Sequence, residues 1–311
     1  MNLIEIVINH DLNGLKDNLK FSNINVCDTH KNSLLHLAVF NNDADIANYL
    51  ILNSIDINRE NEDGNTPLHF SILFNRLGIF KHIIKSGADI NYQNKALESP
   101  LMLALRLGRS TMAKILLELD ADTSFENIHG EGYPFYALYD DDIFKLALKE
   151  INPLVYVNKN GDSLLHKASA INKTEIVKFF SLKYHMLINK KNKEGETPLF
   201  VALKRSNLES AFIMIKQHAL IDISNIYSEQ IMDKLNDKTK DIVQSMLDEP
   251  EYQRYLREYP LQVAVIKNDG FEVKRLKSII RKNKRDIYGY IPLDYAKYYK
   301  FDSIINELNR N

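Results

Sequence analysis

Three histidines share one short sequence context, which makes them the first candidates for metal chemistry. His36, His69 and His166 each follow a serine or threonine by three positions and a leucine by one. Imidazole is a common zinc ligand, but one ion needs several ligands that converge on a single point. Since the three copies are at least 33 residues apart, we expect them to lie in different structural units. We therefore predict no metal site.

Cys27, Asp28 and His30 form a second group in which chemistry is conceivable, because a cysteine near a histidine can act as a nucleophile. The sequence offers no separate general base or oxyanion donor beside them. Asp28 suits a turn and Cys27 an extended position before it, so we interpret Cys27 as an unreactive thiol. We predict no catalytic residue. As the one cysteine of the chain, Cys27 also excludes an intramolecular disulfide.

Sites for phosphate groups and membranes are the next possibilities. The 11 glycines form no phosphate-cradling loop, so we predict no nucleotide and no other cofactor. Seven basic residues between Lys274 and Arg285 favour either a nuclear-import or nucleic-acid patch or a solvated helix end. With 40 basic and 41 acidic side chains, no general attraction to nucleic acid is expected. No run reaches the ~18 apolar residues of a membrane-spanning helix, so no membrane insertion is expected.

The elements that carry these residues recur along the chain with a period near 33. Ser33-Leu34-Leu35-His36-Leu37-Ala38 aligns with later segments, and its histidine position recurs at residues 36, 69, 102, 136, 166, 200, 262 and 294. The step of 62 residues between the sixth and seventh copies is about two periods, which predicts a decayed repeat between 223 and 258. Counting back 33 from His36 predicts a capping repeat at the start.

Each copy has the residue pattern that is typical of two short helices and a turn. Thr66 suits a helix N-cap, and Pro67 suits the first helical position, where a missing N–H costs nothing. Apolar and small residues at 68, 71 and 72 have the spacing of one buried helical face. The apolar run 79–84 predicts a second helix, and Gly87 follows it as a left-handed C-terminal cap.

Asn61–His69 followed by Ser86–Asn91 resembles the signature of the ankyrin-repeat family. The resemblance implies an all-α solenoid of stacked helix-turn-helix units with β-hairpin turns, roughly 8–10 repeats including degenerate and capping ones. It also implies a hydrogen bond between each repeat histidine and the neighbouring serine or threonine hydroxyl. Members of the family act by binding other proteins.

We predict a single ankyrin-repeat domain over residues 1–311. Its predicted parts are an N-terminal capping repeat (1–27), regular repeats (28–124), a degenerate repeat (127–157), further regular repeats (158–223), an irregular or hidden repeat (224–258), and C-terminal repeats with a cap (259–311). A tyrosine cluster over 288–299 is expected to supply part of that cap, and the rest of it could extend a binding surface.

In ankyrin stacks, partner contacts usually come from the hairpin tips and the exposed ends of the inner helices. Large apolar residues with one arginine occupy those ends in three consecutive repeats, a composition typical of a binding hot spot. The alternative is that these side chains fold back into the seam between repeats. The predicted partner-binding residues are Phe40, Leu73, Phe74, Arg106 and Leu107 at helix ends, with Glu62 and Lys95 at hairpin tips.

The resulting prediction is a non-enzymatic scaffold or adaptor that binds another protein through its concave face, as a cytoplasmic monomer. A chain rich in Ile, Asn and Lys also resembles effectors that intracellular bacteria secrete, which would place it in a host cytosol; a protist or viral origin fits as well. The alternatives are an enzyme or a ligase-recruiting protein whose function lies in 127–157 or 224–258.

One modification is predicted by resemblance. Leu50, Asp56, Ile57 and Asn58 are similar to the pattern that asparaginyl hydroxylases recognise in ankyrin turns. The resemblance implies that Asn58 would be the modified side chain.

Overall fold

The computed structural model describes residues 2–20, 22–149, 151–221 and 231–310. The chain divides into two compact units, Met1–Glu150 and Ile151–Asn311, and each is described separately below. The single domain predicted over 1–311 stays a prediction. None of the described helices is long and apolar enough to cross a membrane.

The first unit is built from five helix pairs within its described residues. Its helices are α1 (Leu3–Ile8), α2 (Leu12–Leu19), α3 (Leu34–Phe40), α4 (Ala44–Leu52), α5 (Pro67–Leu73), α6 (Leu77–Lys85), α7 (Pro100–Arg106), α8 (Ser110–Glu118), α9 (Tyr133–Ala137) and α10 (Asp141–Ala147). Ser33, Thr66 and Ser99 are the N-caps of α3, α5 and α7, at the positions where the repeat pattern predicts them.

The pairs stack in chain order. The first helix of each pair packs against the first helix of the next pair, from α1 through α3, α5 and α7 to α9. Ala38, Ser71 and Ala104 are fully buried at matching positions of three of these helices, where small side chains allow close approach of the backbones. Each repeat thus buries its apolar face mainly against its neighbours, as expected for a solenoid.

The turns between pairs are tight loops closed by side-chain hydrogen bonds. Oδ1 of Asn61 accepts hydrogen bonds from the backbone N–H groups of Asp63 and Asn65, both at 3.0 Å. Isolated antiparallel bridges close several of these turns, for example between Cys27 and Ser33. This confirms the expected hairpin turns and places Cys27 in an extended position.

The second unit contains eleven α-helices within its described residues. They are α11 (Leu164–Ala170), α12 (Thr174–Lys183), α13 (Pro198–Lys204), α14 (Leu208–Lys216), α15 (Ile231–Lys234), α16 (Asp237–Leu247), α17 (Pro250–Glu258), α18 (Pro260–Ile266), α19 (Gly270–Lys277), α20 (Pro292–Tyr299) and α21 (Asp302–Asn309). A short 3₁₀ helix, His185–Leu187, follows α12.

The segment in which a hidden repeat was expected is more than a plain helix pair. Helix α15 packs on α13 and α16 on α14, in the manner of a stacked repeat, whereas α17 is an additional helix that contacts α16 and α18. Residues 222–230, which include the predicted boundary at 223–224, lie outside the described residues.

The end of the second unit is organised around a buried carboxylate. Asp286 takes the turn position that asparagine holds in earlier repeats, and its Oδ1 accepts the backbone N–H groups of Tyr288 and Tyr290 at 3.0 Å. Its Oδ2 accepts the hydroxyl protons of Tyr295 at 2.7 Å and Tyr255 at 3.4 Å. Most of the tyrosine cluster is therefore committed to packing and hydrogen bonding within the C-terminal core.

Candidate functional site

The predicted site residues of the first unit lie at equivalent helix ends. Helices α3, α5 and α7 end at Phe40, Leu73 and Arg106, which are spaced by 33 residues, and Phe74 and Leu107 follow the second and third of these ends. Because α5 packs against both α3 and α7, the structure brings these five residues to neighbouring positions. We call this group the helix-end face.

Aromatic rings form a continuous row at this face. The Phe74 ring lies edge to face with Phe40 at 4.9 Å between centroids and with Phe70 at 5.4 Å. Phe70 in turn meets the ring of His36 at 4.7 Å. Phe74 is partly buried in this row, whereas 52% of Phe40 is exposed. Phe74 thus lies partly in the seam between repeats, and Phe40 gives the row its solvent-facing end.

Arg106 is held in a fixed orientation by a buried carboxylate. Its Nε donates to Oε1 of Glu98 at 2.7 Å and its second terminal nitrogen to Oε2 at 2.8 Å. The hydroxyl of Tyr136 donates to the same Oε1 at 2.9 Å, and Asn127 donates to that hydroxyl. The hydrogen bond with Glu98 raises the pKa of Arg106 above its ordinary value. The guanidinium is therefore charged and held in place before any partner arrives.

Sequence reasoning missed Glu98 as the residue that positions Arg106. A signal exists, because in the second unit too a basic residue follows a glutamate by eight positions and pairs with it. There Nζ of Lys204 lies 2.7 Å from Oε1 of Glu196.

The two predicted tip residues lie on turns that bond to their neighbours. The backbone N–H of Glu62 donates to the carbonyl of His30, and that of Lys95 donates to the carbonyl of Asp63, both at 3.0 Å. The side chains of Glu62 and Lys95 are exposed. Oε1 of Glu62 lies 2.7 Å from Nδ1 of His30, and this hydrogen bond raises the pKa of His30. Backbone hydrogen bonds therefore join successive hairpin tips, and the tips expose charged side chains of both signs.

The repeat histidines are structural bridges, which confirms the expected bond to the N-cap hydroxyl. Nδ1 of His36 lies 2.8 Å from the Ser33 hydroxyl and accepts the Ser33 backbone N–H, so the proton is on Nε2. That nitrogen donates to the carbonyl of Asn65 in the next repeat at 2.9 Å. His69 and His166 make equivalent contacts. Burial lowers the pKa of each of the three to about 4, so they are neutral near pH 7.

Asn58 joins two turns and lies partly buried after α4. Its Oδ1 accepts the backbone N–H of Asp89 in the next repeat at 2.9 Å. Asn25 and Asn91 make the same bond, to the N–H groups of Asp56 and Asp122. Hydroxylation of Asn58 remains a prediction.

The basic stretch 274–285 is tied to the C-terminal helices. Lys277 pairs with the Glu307 carboxylate at 2.7 Å, and Lys282 donates to the carbonyl of Arg310 at 2.8 Å. Lys284 donates to the carbonyl of Glu258 at 2.7 Å and lies over the ring of Tyr259. Lys282 and Lys284 thus cap helix ends, where carbonyl groups otherwise lack partners.

Comparison with known proteins agrees with this architecture. The family model for ankyrin repeats (3 copies) matches residues 3–94, 35–127 and 135–225. The chain belongs to the ankyrin-repeat family, and the family indicates a protein–protein interaction module. No curated protein matches the chain.

Proposed function

We propose that this protein is a scaffold or adaptor that binds a partner protein through the helix-end face of its first unit. The observation that carries the proposal is the juxtaposition of a half-exposed Phe40 with the partly buried Leu73, Phe74 and Leu107 and a pre-oriented Arg106. Aromatic residues and arginine are enriched in protein interfaces, and a few such residues in well-packed settings often carry much of the binding energy.

The chemistry of the face defines what a partner must offer. The Phe40–Phe74 row favours an apolar or aromatic side chain of the partner, since it can extend the edge-to-face packing. Arg106 uses two of its five N–H donors on Glu98, so its remaining donors suit a carbonyl or carboxylate group. An interface of standard size buries ~1,600 Å² in total. That area extends beyond the face to the hairpin tips at Glu62 and Lys95.

We further propose that the protein acts in the cytoplasm as a monomer and without chemistry of its own. A single cysteine suits a reducing compartment, where disulfides are rare. The non-catalytic role follows the usual behaviour of ankyrin-repeat proteins.

The test uses the full chain as bait in quantitative affinity purification from cell lysate. Phe40→Ala is compared with the matched control Leu52→Ala, because Leu52 is a 73% exposed apolar residue at the end of α4 in the same repeat. We expect Phe40→Ala to lower recovery of a specific partner by about tenfold or more, the range of a hot-spot residue. Leu52→Ala should leave that recovery unchanged.

Two further measurements make the result decisive. Thermal unfolding should show that both variants keep the midpoint of the wild type within a few degrees. A photo-crosslinking residue at position 40, but not at 52, should capture the partner covalently. If Phe40→Ala retained every partner that Leu52→Ala retains, the helix-end face would not be the binding site.

A further inference from the structure

The second unit contains a cavity with a basic rim that the proposed protein-binding face does not involve. Its volume is about 440 Å³, and it lies between the turn at 154–157, the loop 189–193 and the end of α20. The apolar part of its wall includes Leu154, Ile266, Tyr298, Tyr299 and Phe301, and four lysines also line it, Lys190, Lys191, Lys193 and Lys300. Within the described residues, its lining includes no aspartate or glutamate. We call it the lysine–tyrosine cavity.

The walls of this cavity are fixed by hydrogen bonds. The hydroxyl of Tyr298 donates to the carbonyl of Leu154 at 2.8 Å, and that of Tyr299 donates to the carbonyl of Met186 at 2.9 Å. Nζ of Lys190 donates to the same Leu154 carbonyl at 3.0 Å and lies 5.6 Å from the centroid of the Tyr298 ring. The aromatic rings and one ammonium group are thus oriented without a ligand.

Lysines are the only charged residues among the described residues that line the cavity. Burial, together with the nearby positive charge of Lys300, lowers the pKa of Lys190 to about 8. The nearby carboxylate of Asp162 is already engaged, since it accepts hydrogen bonds from the side-chain amides of Asn158, Asn160 and Asn192. An anion in the cavity would therefore lie close to several ammonium groups. Its negative charge would favour the charged form of Lys190, which burial disfavours.

We propose that the lysine–tyrosine cavity binds a phosphate monoester that carries an aromatic ring. The phosphate has close to two negative charges near neutral pH and suits a rim of several lysines. The ring suits the walls formed by Tyr298, Tyr299 and Phe301, because aromatic groups stack or pack edge to face. The volume falls in the range of small-molecule sites, roughly 300–1,000 Å³.

The test is isothermal titration of the full chain with defined probes. These are O-phospho-L-tyrosine, adenosine monophosphate, L-tyrosine and inorganic phosphate. At least one of the two aromatic phosphates should bind about tenfold or more tightly than both L-tyrosine and inorganic phosphate. Tighter binding of O-phospho-L-tyrosine would indicate a phosphorylated protein side chain as the source, and tighter binding of adenosine monophosphate would indicate a free nucleotide.

Matched variants locate the site. Lys190→Gln and Lys300→Gln should each weaken binding of the aromatic phosphate by about tenfold. Lys297→Gln is the control, because Lys297 is an exposed lysine of α20, three residues before Lys300, that does not line the cavity. Lys300 is also exposed, so its substitution tests the site even if Lys190→Gln fails to fold. Equal affinity for all four probes, or equal weakening by the Lys297 and Lys300 variants, would overturn the proposal.

Discussion

Tyr136 donates a hydrogen bond of 2.9 Å to Oε1 of Glu98, the carboxylate that holds Arg106. The orientation of Arg106 therefore depends on a residue of the following repeat. The two oxygens of Glu98 together receive three side-chain donors, so this carboxylate has hydrogen-bond partners on both oxygens although its exposure is only 7%. Positioning of the helix-end face is thus a property of adjacent repeats acting together.

Removal of the Tyr136 hydroxyl tests this dependence. Tyr136→Phe should lower the free energy of unfolding by about 1 kcal/mol, because Glu98 loses a buried hydrogen-bond donor. It should also weaken partner binding, since Arg106 is less firmly held. Urea denaturation and partner affinity are the measurements. Tyr49→Phe, at a partly buried tyrosine of helix α4, is the control and should change stability by less than about 0.5 kcal/mol. Equal effects of the two substitutions would contradict the role given to the Tyr136 hydroxyl.

The buried histidines predict a dependence of stability on pH. In the folded protein the pKa of His36, His69 and His166 is about 4, whereas the unfolded value is about 6.5. Between these two pH values the unfolded chain binds more protons than the folded chain. The contribution of the neutral histidines to the free energy of unfolding is therefore complete above pH 6.5 and is lost as the pH falls toward 4. The difference between the folded and the unfolded pKa corresponds to at most roughly 3 kcal/mol of stability for each histidine.

Urea titrations at pH values from 7.5 to 4.5, followed by circular dichroism, measure the slope of the free energy of unfolding against pH. His69→Gln should flatten it, since one titrating group is removed, and should also lower stability at pH 7.5. His129→Gln, at an exposed turn position, should leave the slope as it is. A slope that does not respond to His69→Gln would show that other groups control the pH dependence.

Gly64 is expected to be less tolerant of a side chain than Gly87. Both have positive φ, +76° and +89°, so alanine at either position strains the backbone by about 1 kcal/mol. A Cβ at Gly64 would also lie 2.6 Å from the backbone nitrogen of Lys95, whereas a Cβ at Gly87 meets nothing within 4 Å. Gly64→Ala should therefore cost about 1–3 kcal/mol more than Gly87→Ala in urea denaturation. Similar losses would mean that the tip shifts freely to accept the methyl group.

Asn58 is predicted to be hydroxylated when the chain is produced in animal cells. Asn91 is an internal control, because it makes the equivalent hydrogen bond one repeat later but has isoleucine, Ile83, where Asn58 has Leu50 eight residues before it. Peptide mass analysis should find one added oxygen on the Asn58 peptide and none on the Asn91 peptide. An unmodified Asn58 peptide would refute the prediction.

The repeat fold could be predicted because its signals are local and recur. The N-caps Ser33, Thr66 and Ser99 follow from short spacings that the sequence displays several times. The histidine bonds were implied by the resemblance to ankyrin repeats. The same register placed Phe40, Leu73 and Arg106 at equivalent helix ends. The extra helix α17 also had a local signal, since Pro250 precedes tyrosines at 252, 255 and 259 with helical spacing.

Contacts between distant segments could not be predicted in this way. Phe74 packs between Phe40 of the preceding repeat and Phe70 of its own, and nothing in the spacing shows how deeply its ring enters the seam. The lysine–tyrosine cavity joins Leu154, Lys190 and Tyr298, of which the first and last are 144 residues apart. No periodic pattern relates these three positions, so only the folded chain shows that they converge.

The bonds from Asn25, Asn58 and Asn91 to the turn of the next repeat bear on how such a chain can change length. Each asparagine recognises a backbone N–H, which every residue except proline supplies, and never a particular side chain. A recombination that joined the sequence before Asn58 to the sequence from Asn91 onward would remove 33 residues and recreate the same bond at the new junction. Gain or loss of a whole repeat is therefore a smaller perturbation for this part of the gene than an insertion of two or three codons, which would break the register.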